Sequence, residues 1–391
     1  MTATISQAYV HGVRGAWLLA AVNRRRWTPT ICGTAERLRP VKSAVIGLGE
    51  RLGNPHRRRI RGKTMCSQEL ATVAATIAKA ENILLLTHIH PDADALGSQL
   101  GLADILSSLG KRVFLYGEEP VSHLYDFLPG AAGISNELPA LQAFDCAVAL
   151  DCGDAYRLGE NLESLLTVKP MVVIDHHAGH RDFGDQRWVD PRRAATGEMI
   201  YELALALEAE ISPAAAYCLY TAIVADTGSF KYSSTTAETF RVARELVNKG
   251  VKPAEVAGRL FDNFTLARLR LFQRVLGTLS LHGEGRIALI SAPRRFFAET
   301  GAAPEDTEGF VNYPRSLSSV KVAAFLKEAE AGMVSVSLRS KGNDCDVAAV
   351  ATAFGGGGHR NAAGFKQRDC DLEQLRDKLL TALLPGASTC R

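Results

Sequence analysis

The chain reads as an α/β protein in which a parallel-sheet domain with helices on both faces is joined by a helical connector to a smaller second α/β domain. Three observations predict this. A length of 391 residues with 47% apolar content supplies two cores of ordinary size. Short, uninterrupted apolar runs rich in branched residues alternate with longer stretches of helical period. Strands of that kind are buried on both faces, which requires helices above and below a parallel sheet.

The pattern starts at Met65. Residues 1–64 hold thirteen Lys or Arg against two Glu, with R-R-R at Arg24 and again at Arg57 and no sustained period, while the rest of the chain is net acidic. A basic nucleic-acid arm, a transit-like extension, or upstream sequence translated from a start called too early would each look like this. The third reading is preferred, and residues 1–64 are expected to be a dispensable, disordered extension. From Met65 the run M-C-S-Q-E-L-A-T-V-A-A-T-I-A-K-A has helical spacing. Four strands follow, I-L-L-L (83–86), V-F-L-Y (113–116), C-A-V-A-L (146–150) and M-V-V-I (171–174), with a helix over Leu96–Leu109 closed by Gly110. Helices over Gly197–Leu207, Ala214–Ala225 and Ala237–Asn248 complete a domain expected to span 65–253.

Residues 254–282, with F-D-N-F-T-L-A-R-L-R-L-F-Q-R-V-L, are helical in period and read as the connector. R-I-A-L-I-S (286–291), V-A-A-F-L (322–326) and M-V-S-V-S-L-R-S (333–340) then read as strands of the smaller domain, 283–386, with a helix over Asp346–Phe354 before four glycines, Gly355–Gly358. Eight scattered cysteines without a C-x-x-C pair indicate neither a zinc ribbon nor a secreted disulfide framework, and fit a reducing cytoplasm. The longest apolar runs are far too short for a membrane span.

Three of the four strands end in chemistry. I-L-L-L leads into T-His88-I-H-P-Asp92-A-Asp94, C-A-V-A-L into Asp151, and M-V-V-I into Asp175-His176-His177; Asp226 ends the helical run A-I-V-A-D before the turn T-G-S-F. In open parallel sheets ligands bind beyond the carboxyl ends of the strands, so these residues converge. Carboxylates crowded together take up protons unless a cation compensates. Four Asp with two or more His form an oxygen-rich set suited to Mn²⁺, Mg²⁺ or Co²⁺, and they are too many for one ion, so two ions are expected. Taken singly, each residue has an ordinary explanation, such as an N-cap for Asp92 or Asp94 or turn chemistry for an Asp at a strand end. Capping needs one Asp, though, and a strand end needs no His176-His177 pair.

H-x-x-P-D-x-D (His88–Asp94), D-C-G-D (Asp151–Asp154), D-H-H (Asp175–His177) and A-D-T-G-S-F (Ala225–Phe230) resemble, in order and spacing, the four motifs of the DHH phosphoesterase superfamily. The run G-G-G-G-H-R-N-A-A-G-F (Gly355–Phe365) resembles its accessory DHHA1 domain, in the form found in bacterial nano-RNases that also act as 3′,5′-bisphosphonucleotide phosphatases. The resemblance covers residues 65–386. It implies that His88 and Asp92 bind one Mn²⁺ and Asp94, His176 and Asp226 the other, with Asp151 bridging. Asp175 would support the ligands and His177 would contact the phosphate or protonate the leaving oxygen. Asp154, Thr227 and Ser98 are expected to orient ligands or cap turns.

The resemblance also implies that Gly357, Gly358, His359 and Arg360 grip a terminal phosphate, with Arg315, Arg339 and Ser340 as further donors facing an interdomain cleft that holds the active site. The function expected is a cytoplasmic, metal-dependent phosphoesterase that hydrolyses very short oligonucleotides and removes the 3′-phosphate of a bisphosphonucleotide. Competing readings are a cyclic or linear dinucleotide phosphodiesterase, a single-strand exonuclease of the RecJ kind, disfavoured because the catalytic and accessory domains are net acidic, and a non-catalytic nucleotide- or RNA-binding module, whose mark would be a lost metal ligand.

Overall fold

A computed structural model describes residues 67–342 and 345–389. The expectation for residues 1–64 lies outside the described residues. Helix α1 (Gln68–Lys79) starts at Ser67, whose hydroxyl caps Leu70 N. Then come β1 (Asn82–Leu86), α2 (Ala93–Ser108), β2 (Arg112–Tyr116), β3 (Cys146–Leu150), α3 (Leu162–Leu165), β4 (Met171–Asp175) and β5 (Gln186–Val189). Helices α4 (Thr196–Ala206), α5 (Pro213–Asp226), α6 (Ala237–Asn248), α7 (Pro253–Phe261) and α8 (Leu266–Leu276) follow. The remaining elements are β6 (Ser280–His282), β7 (Ile287–Ala292), α9 (Arg294–Thr300), α10 (Asn312–Ser316), β8 (Val322–Glu330), β9 (Met333–Ser340), α11 (Val347–Ala353), β10 (Gly357–His359), β11 (Ala362–Arg368) and α12 (Leu372–Thr389).

The first sheet is wholly parallel in the order β2-β1-β3-β4-β5. Alternation along each strand splits its side chains between two cores. Ile83, Leu85, Val148, Leu150, Val172 and Ile174 pack among α1, α2 and α4–α6. Leu84, Leu86, Ala147, Ala149 and Val173 face the other way, under α3, short turns and Phe114 and Phe144. The second sheet is mixed, in the order β10-β11-β9-β8-β7-β6, with β7 and β8 its one parallel pair. Both sheets belong to one compact unit.

Two stretches differ from the sequence expectation. The edge strand β5 is absent from the expected set because only Trp188 of its four residues is buried, so Q-R-W-V carries almost no apolar signal. The four glycines end in a strand where a loop is expected: Gly357–His359 pairs antiparallel with Ala362–Gly364. A side chain here would collide, since a Cβ on Gly356 would lie 2.2 Å from Gly364 O and one on Gly358, at φ +135°, 2.6 Å from Ala362 O. The run is a tightly packed hairpin.

What positions the chemistry is the contact among α2, α4 and α5. Glycine lets their backbones meet: a Cβ on Gly97 of α2 would lie 2.5 Å from Cys218 O of α5, and one on Gly197 of α4 would lie 2.6 Å from Ala222 Cβ of α5. The first turn of α2, the first turn of α4 and the last turn of α5 thereby reach one place. Replacing Gly97 with Ala should therefore destabilise the fold by about 1–3 kcal/mol, the range for overpacking, despite the better helix propensity of Ala. Urea unfolding measures this, and an unchanged midpoint would contradict the close helix approach.

Candidate metal centre

Strand order in the first sheet reverses between β1 and β3, and the loops leaving these strands part to open a crevice at their carboxyl ends. His88 after β1 and Asp151 after β3 meet there, both nearly fully buried, with His88 Nε2 3.5 Å from Asp151 Oδ2. Asp151 has a left-handed backbone, φ +56°, a strained conformation for a residue with a side chain. Its N–H donates to Ile174 O of β4 at 3.0 Å, which holds it there.

His176, just beyond β4, is the hub of a second group. Its Nε2 lies 3.5 Å from Asp151 Oδ1, 3.6 Å from Asp94 Oδ2 and 3.5 Å from Asp226 Oδ2. Its Nδ1 lies 3.2 Å from Arg193 O and donates to it, which aims Nε2 at the carboxylates. The Arg193 guanidinium pairs in turn with Asp190, Glu198 and Glu202. Asp94, in the first turn of α2, accepts from Thr196 N at 2.7 Å on Oδ2, and from Gly197 N at 2.9 Å and Ser98 Oγ at 3.2 Å on Oδ1. Asp92 is the N-cap of α2, with Oδ1 accepting from Asp94 N and Ala95 N. Capping engages one oxygen and leaves the other available to a cation.

Three sets of ligand atoms lie mutually within 4.8 Å: His88, Asp92 and Asp151; Asp94, His176 and Asp226; and Asp151, His176 and His177. Two atoms bound to one ion at about 2.1 Å, at tetrahedral to octahedral angles, are separated by about 3.0–3.5 Å. The 3.5–3.6 Å spacings around His176 match that separation, and a set of carboxylates with imidazole admixed suits a hard divalent cation.

The charges point the same way. Burial and the Asp151, Asp226 and Asp92 carboxylates push the Asp94 carboxyl above its ordinary range, although His176 opposes them. Burial, with Asp92 and Asp151, also raises Asp226, again against His176; as the last residue of α5 it stands at the helix end that disfavours an anion. Burial disfavours a charged His176, yet Asp226, Asp151 and Asp94 outweigh it and raise the imidazole. A cation in this place would meet the same carboxylates that raise His176.

Asp175 is fully buried and accepts from His177 Nδ1 at 2.6 Å and His180 Nδ1 at 2.8 Å. Burial would raise its carboxyl, but the two imidazoles hold it well below the usual range, and Asp175 in turn raises His177 against the effect of burial. Asp154 accepts from Tyr156 N and pairs with Arg181, Thr227 bonds to Ile223 O, and Ser98 bonds to Asp94, so these three orient the site or cap turns.

The sequence expected seven donors around a substrate. Gly357 and Gly358 lie in the glycine hairpin, beside the metal loops: a Cβ on Gly179, two residues after His177, would lie 3.5 Å from Gly358 O. His359 ends β10 and Arg360 is exposed at the hairpin turn. Arg339 lines a polar cavity of about 90 Å³ with Glu308, Lys327, Ser335 and Ser337. The Arg315 guanidinium lies over the Tyr232 ring, 4.7 Å from its centroid, and so bridges the two halves. Ser340 departs from the expectation. It is 2% exposed, with Oγ 2.8 Å from Asn361 Oδ1 and 3.0 Å from Cys345 O, and braces the β9–β11 contact from inside. A further bridge runs through His90, whose Nδ1 is 2.7 Å from Glu119 Oε2 and whose Nε2 is 2.5 Å from Lys366 Nζ on β11.

Two residues escape the sequence reading. His180 shares Asp175 with His177, and its Nε2 is buried without a partner among the described residues. The spacing H-H-A-G-H could have flagged it. Thr196 donates through Oγ1 to Asp151 Oδ1 at 2.9 Å; its partners lie 45 and 102 residues away, and no local pattern marks it.

Residues 82–223 match the DHH family, N-terminal domain, and residues 290–384 match the DHHA1 domain. The chain is 35% identical over 81% of its length, and 94% of the relative's, to a Thermus thermophilus protein named bifunctional oligoribonuclease and PAP phosphatase NrnA. A Bacillus subtilis protein of the same name is 29% identical, over 74% of this chain and 90% of that one. Among solved structures, an exopolyphosphatase-related protein from Bacteroides fragilis superimposes with a TM-score of 0.75 at 27% identity, covering 83% of this chain and 99% of that one.

Asp94, Asp226, His176 and His177 all bind protons more tightly in the metal-free fold than in the unfolded chain. Stability from a group whose pKa is raised on folding is present below its unfolded pKa and lost as pH rises through the folded value. The chelated protein should therefore lose about 1–3 kcal/mol of stability between about pH 4, where Asp226 begins to ionise in the unfolded chain, and about pH 10, where the folded His176 gives up its proton. Asp151 and Asp175, held below the usual range, lose their contribution only on acidification below about pH 4. A divalent cation displaces the bound protons and should reverse the slope. Urea unfolding across this pH range, with EDTA or with Mn²⁺, measures both; equal stability at the two ends with EDTA would contradict the proton assignment.

Proposed function

Because the chain belongs to the DHH phosphoesterase family and carries its DHHA1 domain, we propose that it hydrolyses very short oligonucleotides to mononucleotides and removes the 3′-phosphate of a 3′,5′-bisphosphonucleotide. The observation that carries the proposal is the pair of ligand groups, His88–Asp92–Asp151 and Asp94–His176–Asp226, joined through Asp151 beneath the glycine hairpin. The names of the Thermus and Bacillus relatives support the two activities together. Residues 65–253 would form the catalytic domain, 254–282 the connector and 283–386 the substrate-binding domain.

His88 and Asp92 would hold one Mn²⁺ and Asp94, His176 and Asp226 the other, with Asp151 shared. Bound there, two such ions supply an acidified water and neutralise charge developing on the phosphoryl oxygens. The protein's own groups do the rest. Asp175 fixes His177 by Nδ1 and raises its imidazole, which suits His177 to supply a proton to the leaving oxygen. Arg193 O and Asp175 fix the orientations of neighbouring imidazoles, so that neither ring turns away from the crevice.

The hairpin with Gly357, Gly358, His359 and Arg360 would hold a terminal phosphate, and Arg339 a second polar subsite across the cleft. A fixed distance from such a clamp to the cations favours short substrates. The net negative charge beyond residue 64 gives long nucleic acid little electrostatic attraction.

Two measurements test this. Purified protein with Mn²⁺ should convert dinucleotides to mononucleotides and release phosphate from a bisphosphonucleotide much faster than it shortens a 20-mer; a preference for the 20-mer would favour a processive exonuclease instead. Arg360→Ala should lower dinucleotide turnover by about tenfold to a few hundredfold, the effect of losing one or two charge-assisted hydrogen bonds, and spare bis-p-nitrophenyl phosphate, which needs no clamp. Equal losses on both substrates would mean that the hairpin supports the cations and not the substrate.

A further inference from the structure

We propose that Thr196 is a positioning residue that sets the distance between the shared carboxylate of Asp151 and the ligand carboxylate of Asp94, and through it the affinity for the cation held with His176 and Asp226. The inference rests on the two-cation reading above. Thr196 is fully buried at the first position of α4 and reaches a different carboxylate with each of its two donors. Its N–H donates to Asp94 Oδ2 at 2.7 Å and its hydroxyl to Asp151 Oδ1 at 2.9 Å. These are the same two oxygens that lie 3.6 and 3.5 Å from His176 Nε2. One residue therefore ties together two of the three oxygens that surround the hub imidazole.

A carboxylate oxygen carries two lone pairs, so a donor on one leaves the other for a cation. The arrangement has a cost that only a fixed donor offsets: two like charges are held close, and free rotation of either carboxylate would relieve them. Packing makes the donor fixed. The N-cap residue of α4, Ala195, provides no side-chain cap, and the N–H groups of Thr196 and Gly197 turn instead to Asp94. The neighbouring Gly197 presses α4 against Ala222 of α5, which leaves the helix start no room to retreat.

Thr196→Val keeps the branched shape and the backbone donor and removes only the hydroxyl; Thr196→Ser keeps the hydroxyl and removes the methyl. Loss of a group that orients a metal ligand typically weakens binding about 10–100-fold. In isothermal titration of the chelated full-length protein with Mn²⁺, checked by the electron paramagnetic resonance signal of free Mn²⁺, one of the two binding steps should weaken by that factor in Thr196→Val. It should return to within about threefold of the parent in Thr196→Ser. If the Val variant does not fold, Thr196→Cys makes the same comparison with a thiol that donates poorly. A role in packing alone would lower the metal-free unfolding midpoint and leave Mn²⁺ binding unchanged, and that result overturns the proposal. Equal weakening in the Ser and Val variants also overturns it, because the hydroxyl would then be irrelevant. A parent protein that binds fewer than two Mn²⁺ would overturn the two-cation reading itself, an outcome separate from an unchanged Val variant.

Discussion

Four carboxylates, those of Asp92, Asp94, Asp151 and Asp226, are brought into one crevice, and holding these like charges together is the constraint on which the rest of the structure depends. Left to themselves they would separate or take up protons. They cannot separate, because they stand on three rigid elements packed together: Asp92 and Asp94 at the start of α2, Asp151 just after β3 and Asp226 at the end of α5. Two divalent cations would carry the charge needed to neutralise four carboxylates. The supporting features share that purpose. The strained backbone of Asp151, the glycine contacts among α2, α4 and α5, and the backbone donors spent on Asp94 all oppose relaxation of the cluster.

A second buried acid, Asp175, is handled differently. It lies between the Nδ1 atoms of His177 and His180 and needs no cation, because imidazole N–H groups meet both of its oxygens. Two acids at the ends of neighbouring parallel strands thus have different environments, Asp151 among other carboxylates and Asp175 closed by two imidazoles. The second sheet contributes at the rim. Lys366 reaches His90, which lies between the candidate ligands His88 and Asp92, and the hairpin carbonyl of Gly358 approaches Gly179. The two halves therefore touch at the loops that carry the chemistry.

Most of the first sheet was legible because burial on both faces makes a strand an uninterrupted apolar run. The convergence of the expected metal ligands was legible because strand order converts sequence position into a shared edge: His88, Asp151 and His176 follow β1, β3 and β4, which are neighbours. Edge strands were not legible, since β5 buries Trp188 and little else. The glycine run gave an ambiguous signal, because the residue that permits a flexible hinge also permits two backbones to pack at van der Waals distance, and only the partner strand decides between them. The resemblance implies Arg339 and Ser340 together as donors at the cleft, but successive residues of a strand point to opposite faces, which puts Arg339 in a polar cavity and Ser340 in the interior. Thr196 was silent for the reason that long-range positioning residues generally are, namely that its partners are set by topology and not by spacing.

The start of α4 has one more consequence. Because the amides of Thr196 and Gly197 donate to the two oxygens of Asp94, their protons are built-in reporters of the electron density on that carboxylate. Protonation of Asp94, its ionisation and its coordination would each draw a different amount of density from these hydrogen bonds. Their resonances would therefore register the state of the site without any probe being added, and from the protein side instead of through a product.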